Sequence, residues 1–270
     1  MCNACLIEAV KGKILASAKR RAGPKGRAAP VSRPAPKRTV SPQQPRRIID
    51  LTHELHAGFP TYSGQQTFET HRQSHFRDYG FNQFYVEFEE HTGTHLDAPL
   101  HCSEDGLSIA ELAVGELIAP LCVIDIAARA AKNPDTELTP DDIRRWIAKH
   151  GGIPEGACVA LNSGWSDHVN GATYRNADDK GIMHFPGVHV EAAEMLLETG
   201  AASLAVDSLS FDRGMAKSFA THLAWLGAGR FGIECIANLG QVPASGATIF
   251  IGAPKHRGGT GGPSRILAMV

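Results

Sequence analysis

Nowhere in the 270 residues does an apolar run approach the roughly 18 needed to cross a bilayer, so a transmembrane helix is excluded. Cysteine is scarce and scattered: six residues, at 2, 5, 102, 122, 158 and 235, in a chain far larger than the secreted domains that rely on disulfides. A reduced compartment, and with it a cytoplasmic protein, is the expectation. Cys2 and Cys5 form a CxxC pair, but no second pair completes a four-cysteine zinc site and no βαβ context supports a thioredoxin-like one. Internal repeats are absent. Acidic residues are nearly missing from the start of the chain: Glu8 alone stands against 12 Lys and Arg in residues 1–47, whereas 48–270 hold 15 basic and 27 acidic residues. No recognised RNA or DNA module and no aromatic-interleaved basic surface accompanies that excess, which argues against a nucleic-acid binder.

The basic segment divides further. Residues 2–19 place Leu6, Ile7, Val10, Ile14 and Leu15 at helix-like spacing ahead of Lys19-Arg20-Arg21, and an organelle-targeting role stays open for them. Between 22 and 47 lie six prolines among basic and small residues, a composition unable to bury enough apolar surface to order itself. Residues 1–46 therefore read as a flexible, basic, Pro-rich segment, and 47–270 as one folded domain. With 43% hydrophobic residues overall, the chain has material for a true core.

Within 47–270 short apolar runs predict strands at 47–52, 121–126, 157–161, 203–206 and 248–251, and the alternation across 83–89 predicts a half-buried one. Thr139-Pro140-Asp141-Asp142 is a helix start: a capping hydroxyl, Pro at the first helical position and two acids in the first turn. That helix runs to His150 and stops at Gly151-Gly152. A second covers 190–198 and closes at Gly200. Alternating strands and helices indicate an α/β domain, with strand order left open.

The chemistry concentrates in His91-Thr-Gly-Thr-His95-Leu-Asp97-Ala-Pro-Leu-His101. Three His and one Asp share parity within eleven residues, so an extended chain would carry all four on one face. At about 3.3 Å per residue, His91 and His95 would then stand roughly 13 Å apart, too far to converge on an ion about 2.1 Å from each nitrogen. The chain must bend between them. Gly93, free to take φ > 0, is the residue that allows it. Neutral imidazoles and a carboxylate bind Zn²⁺, Mn²⁺ or Fe²⁺, and an unbound base nearby can move protons. His101, two residues beyond Pro99, is the natural proton carrier.

The run resembles the HxGTHxDxPxH motif of the cyclase family of metal-dependent hydrolases, which includes bacterial kynurenine formamidases and isatin hydrolases. The likeness extends over most of 48–270. Ile49-Asp50-Leu51-Thr52 is similar to the family's opening strand, and Phe59-Pro60-Thr61-Tyr62-Ser63-Gly64 to its proline-aromatic-glycine loop. Val206-Asp207-Ser208-Leu209-Ser210-Phe211-Asp212 looks like its D-S-x-S-x-D segment, and Gly261-Gly262-Pro263-Ser264-Arg265 like its closing turn. The resemblance implies a single domain of mixed β-sheet layers with flanking helices, swivelling β/β/α-like. It implies a divalent metal, Zn or Mn, as one or two ions per subunit. His91, His95 and Asp97 would bind one ion, and Asp97 would bridge to a second completed by His222 and Glu234, whose twelve-residue spacing matches. His101 falls at the acid-base position and Tyr62 at the substrate loop, where kynurenine formamidases carry Trp-Pro-Gly instead of Tyr62-Ser63-Gly64.

Read from the residues alone, His222 is a helix residue and Glu234 a strand residue, with one hint: an acid amid Ile233, Cys235 and Ile236 needs a positive partner. The remaining histidines, among them His53 and His256, read as surface or structural. The implied activity is arylformamidase-like hydrolysis of N-formylkynurenine within tryptophan catabolism by a homodimer or higher homo-oligomer, with opening of a cyclic amide such as isatin as the alternative. A metal-binding protein without turnover is the rival from another class, and His101, which pure binding would not require, argues against it.

Overall fold

The computed structural model describes residues 47–270, so the expectations for 1–46, including the Cys2–Cys5 pair, lie outside the described residues. The described residues fall into two compact units, one of 70–86 and a larger one of 47–69 and 87–270. The smaller unit is built on a two-stranded ribbon, β2 (Phe68–Ser74) with β3 (Gln83–Phe88), following β1 (Ile48–Asp50) in the chain. Phe84, Tyr85 and Val86 of that ribbon are exposed, so the strand predicted at 83–89 forms but does not bury the apolar half of its alternation.

The larger unit is an α/β structure on one curled, mixed nine-stranded sheet. In chain order its further strands are β4 (His95–Asp97), β5 (Ile118–Asp125), β7 (Cys158–Asn162), β9 (Ser203–Val206), β10 (Phe231–Glu234), β11 (Ala247–Gly252), β12 (Gly261–Pro263) and β13 (Arg265–Met269), with β6 (Glu137–Leu138) and β8 (Gly187–Val188) pairing apart. Across the sheet they run β1-β13-β11-β5-β7-β9-β10-β4-β12. The central β5-β7-β9-β10 are mutually parallel and the flanking strands antiparallel. Buried on both faces, the parallel strands are the continuous apolar runs visible in the sequence.

Alternation divides the core in two. Leu96, Cys158, Ala160, Ile233, Ile249 and Ile266 point to one side, while Val159, Leu161, Leu204 and Val206 point to the other. There they meet α1 (Pro140–His150), α2 (Val190–Glu198) and α3 (Ala220–Gly227) through Ile143, Trp146, Leu196 and Trp225. α1 begins as its sequence predicts: Asp142 N–H donates to Thr139 Oγ1, Thr139 N–H donates back to the Asp142 carboxylate, and Gly151 closes the helix at φ 89°. α3 buries one face, through Thr221, His222, Trp225 and Leu226, and leaves Leu223 exposed.

Candidate metal centre

β4 is the strand that positions the site. Leu96 is fully buried in the inner core and pairs across to Ile233 of β10, also fully buried. Burying each is worth about 1.5–3 kcal/mol, so the register is firmly set, and a slip by one residue would drive Asp97 into hydrocarbon. Period two then turns His95, Asp97 and Glu234 to the opposite face, with His95 directly across from Glu234. The residues facing Asp97 on its two neighbouring strands are both glycine, Gly232 and Gly261. A Cβ at 232 would stand 2.2 Å from the Phe211 ring, and one at 261 would stand 2.7 Å from His91 Cε1. Those gaps are filled by the two rings.

His91 reaches Asp97 because the chain bends at Gly93, whose φ is 70° as its role in the sequence requires. The extended reading holds only for 95–97. Pro99 starts a 3₁₀ turn, Pro99–His101, and this turn rather than strand parity brings His101 back over the site, its ring centroid 3.9 Å from that of His91. α3 supplies His222. Asp212, midway along the connection from β9 to α3, accepts from the N–H groups of Thr221 (2.9 Å) and His222 (3.2 Å), which anchors the start of α3 and holds His222 in place.

Donor and acceptor roles decide what this cluster is. His95 Nδ1–H donates to Gly93 O at 2.8 Å and His222 Nδ1–H to the Asp212 carboxylate at 2.7 Å, so each turns Nε2 toward the centre. His95 Nε2 lies 3.2 Å from Asp97 Oδ1 and 3.5 Å from Glu234 Oε2. His222 Nε2 lies 3.0 Å from Glu234 Oε1 and 3.8 Å from Asp97 Oδ2, and His91 Nδ1 lies 2.6 Å from Asp97 Oδ1. Apart from the Phe211 N–H, which donates to Glu234 Oε1 at 3.1 Å, the groups meeting there offer lone pairs. His95 Nε2 and Asp97 Oδ2 are buried without a hydrogen-bond partner. Buried acceptors facing one another are tolerated only around a cation.

The charge balance agrees. Burial opposes protonation of His95, but the negative charges of Asp97 and Glu234 outweigh it and raise the pKa to about 9. His222 is raised to about 10 against its burial by Asp212 and Glu234. Asp97 is held well below the usual carboxylate range despite burial, by His95 and His91. Protons and a metal ion compete for the same lone pairs. His101 differs. Partial burial, reinforced by the neighbouring imidazoles and opposed by Asp97, pushes it down to about 4, so at neutral pH it is an uncharged base.

Every sequence-predicted site residue is therefore in one place, though grouped in its own way. Ligand atoms of His91, Asp97 and His101 lie within 4.8 Å of one another, as do those of His95, Asp97 and Glu234. Asp97 is common to both sets, and His95 keeps company with Glu234 more than with His91. A cavity of about 220 Å³ opens onto them, walled by Pro60, Tyr62, Leu209 and Phe219. Tyr62 tilts against Phe219 at 6.0 Å between centroids. In the sequence Asp212 is only the last residue of the D-S-x-S-x-D segment, with no role attached, and Phe219 carries no signal there: the first acts through the N–H groups and imidazole of α3 and the second through its place at the start of that helix.

Residues 49–213 match the model of the Cyclase family, described as "Putative cyclase". The chain belongs to the cyclase family. Among its relatives is the isatin hydrolase of Roseibium aggregatum, 37% identical over 191 residues, which are 67% of this chain and 72% of that protein. The kynurenine formamidase of Sphingopyxis alaskensis is 36% identical over 81 residues, 30% of this chain and 39% of that one. A crystal structure of an isatin hydrolase bound to the product analogue thioisatinate superposes with a TM-score of 0.79 at 28% identity, covering 100% of this chain and 99% of its own. This member of the family thus combines the family's fold with a donor set that fits a divalent metal.

Proposed function

We propose that this cyclase-family chain hydrolyses the C–N bond of a small aryl amide, with a cyclic amide such as isatin as the leading substrate. The observation that carries the reading is the convergence of His91, His95, Asp97, His222 and Glu234, lone pairs inward, at the end of an aromatic-walled cavity. The isatin hydrolase likeness spans two thirds of the chain and the kynurenine formamidase likeness less than one third, and this support leads us to put isatin ahead of N-formylkynurenine, the reverse of the order expected from the sequence. An engineered apolar cavity of about 150 Å³ admits benzene, so 220 Å³ suits one aryl group with its amide.

The five residues would hold Zn or Mn, one or two ions per subunit with Asp97 shared. Nitrogen and oxygen donors of this kind suit either metal. Bound there, the metal supplies Lewis acidity toward the amide carbonyl and lowers the pKa of water. His101 takes a proton from the attacking water and returns it to the leaving nitrogen, a transfer its neutral imidazole can make. Tyr62 and Phe219 flank the aryl ring and set its orientation. Asp212 keeps His222 in the tautomer that presents Nε2.

A cytoplasmic homodimer completes the reading. Cys102, Cys122, Cys158 and Cys235 are all free, as a reducing compartment allows, and among the described residues no helix is long and apolar enough to cross a membrane. The test is turnover by purified protein of measured metal content against isatin, N-formylkynurenine and simple formanilides. Opening of isatin at the highest kcat/KM is the expected outcome. A fully metallated protein that turned over none of them would leave the rival, metal binding without catalysis.

A further inference from the structure

Beyond the ligands themselves, a line of polar side chains leads from His91 away from the centre. His91 Nε2 lies 2.9 Å from Thr260 Oγ1, and Thr260 donates its hydroxyl proton to Glu90 Oε2 at 2.5 Å and its N–H to the same oxygen at 3.0 Å. Glu90 Oε1 in turn meets His256 Nε2 at 2.5 Å, at the protein surface. A hydroxyl has one proton to give. Since Thr260 gives its proton to Glu90, it can only accept from His91, so the His91 proton sits on Nε2. His91 Nδ1 is then a bare lone pair, 2.6 Å from Asp97 Oδ1. His95 and His222 show the reverse, with Nδ1 protonated and Nε2 inward.

We propose that Glu90 and Thr260 are positioning residues of the metal centre, which fix His91 in the Nε2–H tautomer so that it binds metal through Nδ1. This rests on the reading of His91 as a ligand. Two further observations support it. The ring has a prepared seat, because only glycine at 261 leaves room for it against the backbone of β4. Glu90 Oε2 also takes two protons from Thr260, the N–H at 3.0 Å and the hydroxyl at 2.5 Å, so the hydroxyl is held on the side away from His91 and has only its lone pairs to offer the ring. Neither residue touches the cavity. Their effect reaches the reaction through the imidazole alone, as outer partners of metal-bound histidines do.

The test uses the full chain and zinc alone, titrated in competition with a chromophoric chelator. His91→Ala should weaken zinc binding, Thr260→Val should weaken it about 10- to 100-fold, and Thr260→Ser, which keeps the hydroxyl, should restore it to within about threefold of wild type. Glu90→Gln should follow Thr260→Val, because an amide can offer the Thr260 hydroxyl a donor and free it to reverse the His91 tautomer. If His91→Ala leaves zinc affinity unchanged, both the ligand reading and this proposal fall. If His91→Ala weakens binding while a folded Thr260→Val does not, the proposal alone falls. Side-chain ¹⁵N spectra of the zinc-loaded wild-type protein need no variant: His91 should read as Nε2–H, and an Nδ1–H signal would overturn the assignment.

Discussion

Two buried acids with depressed pKa values, Asp97 on β4 and Asp142 at the start of α1, sit in opposite surroundings. Asp142 is saturated with donors: Thr139 N–H and Oγ1 at 2.9 and 2.8 Å, Arg129 Nη1 and Nη2 at 3.0 and 2.6 Å, and Arg145. Asp97 faces the inward lone pairs of His91, His95 and His222, and its Oδ2 has no partner. Both are stable as carboxylates, but one has its positive charge built in and the other leaves that place to a cation. Depressed pKa values alone would not separate them. The direction in which neighbouring protons point does, and it identifies the functional acid.

Removing the acid that lacks donors should have the largest effect. Asp97→Ala should lose metal together with turnover, a fall of about 10³-fold or more, since Lewis-acid stabilisation is worth several kcal/mol. Thermal stability of the metal-free protein should hold or rise against metal-free wild type, because the repelling acceptors lose a member. Metal analysis and kcat on the same preparation check this. An Asp97→Ala protein that retained full metal content would break the contrast between the two acids. Next in size, His101→Ala should lower kcat by about 10² to 10⁴ and keep its metal, as a proton carrier does. Its ligand atom lies close enough to those of His91 and Asp97 to share an ion. Metal lost in proportion to activity would thus move His101 into the ligand set.

The donor-saturated acid should fail in the opposite manner. Asp142→Ala should leave metal content and kcat intact and cost about 2–3 kcal/mol of stability, from a lost cap and lost charged hydrogen bonds. In a chain of this size that is a fall of about 5–10 °C in Tm. The sign of its pH dependence follows from the depressed pKa. Burial opposes ionisation, yet Arg129 and Thr139 hold the carboxyl below the usual range. Its contribution is present above the unfolded value near 4 and is lost as pH falls through the folded one. The gap between wild-type and Asp142→Ala melting curves should therefore begin to narrow as pH falls below about 4 and go on narrowing through the acid range. A gap that stayed constant through that fall would show that the network contributes nothing through ionisation.

Legibility in the sequence follows the same division. α1 could be read residue by residue, because a cap, a first-turn Pro, acids and a terminal Gly act on their immediate neighbours. The parallel strands could be read because burial on both faces leaves apolar runs. His91, His95, Asp97 and His101 were legible as a group, but the bend at Gly93 and the Pro99 turn, not a shared strand face, bring them together. His222 and Glu234 depended on family resemblance. What makes Glu234 a neighbour of His95 is the β10–β4 register, and register joins residues 139 apart that share no local pattern. Glu90 and Thr260 were not foreseen at all, and Asp212 only as the end of a resembled segment without a role. Ordinary polar residues acquire such roles only when another strand or helix sets a histidine against them.

The smallest effect belongs to the cavity wall. Tyr62 is 39% exposed, hangs over the centre from the loop after β1, and meets Phe219 at 6.0 Å and Phe185 edge-on at 6.5 Å. Burial first, and then the charges of Asp212 and Glu234, raise its pKa, so the phenol is neutral in the working range and brings no charge to the site. Its contribution should be that of a ring against a ring, about 0.5–1.5 kcal/mol, which is about 2- to 12-fold in binding. Tyr62→Leu should accordingly raise KM for an aryl amide by that factor with kcat and metal content unchanged. Tyr62→Phe should stay within about twofold of wild type, since the stacking face is kept. A fall in kcat for Tyr62→Phe would mean that the hydroxyl meets the reacting atoms. The wall would then belong to the chemistry of Asp97's cation, and the division between an acid awaiting charge and its inert surroundings would have to be redrawn to include it.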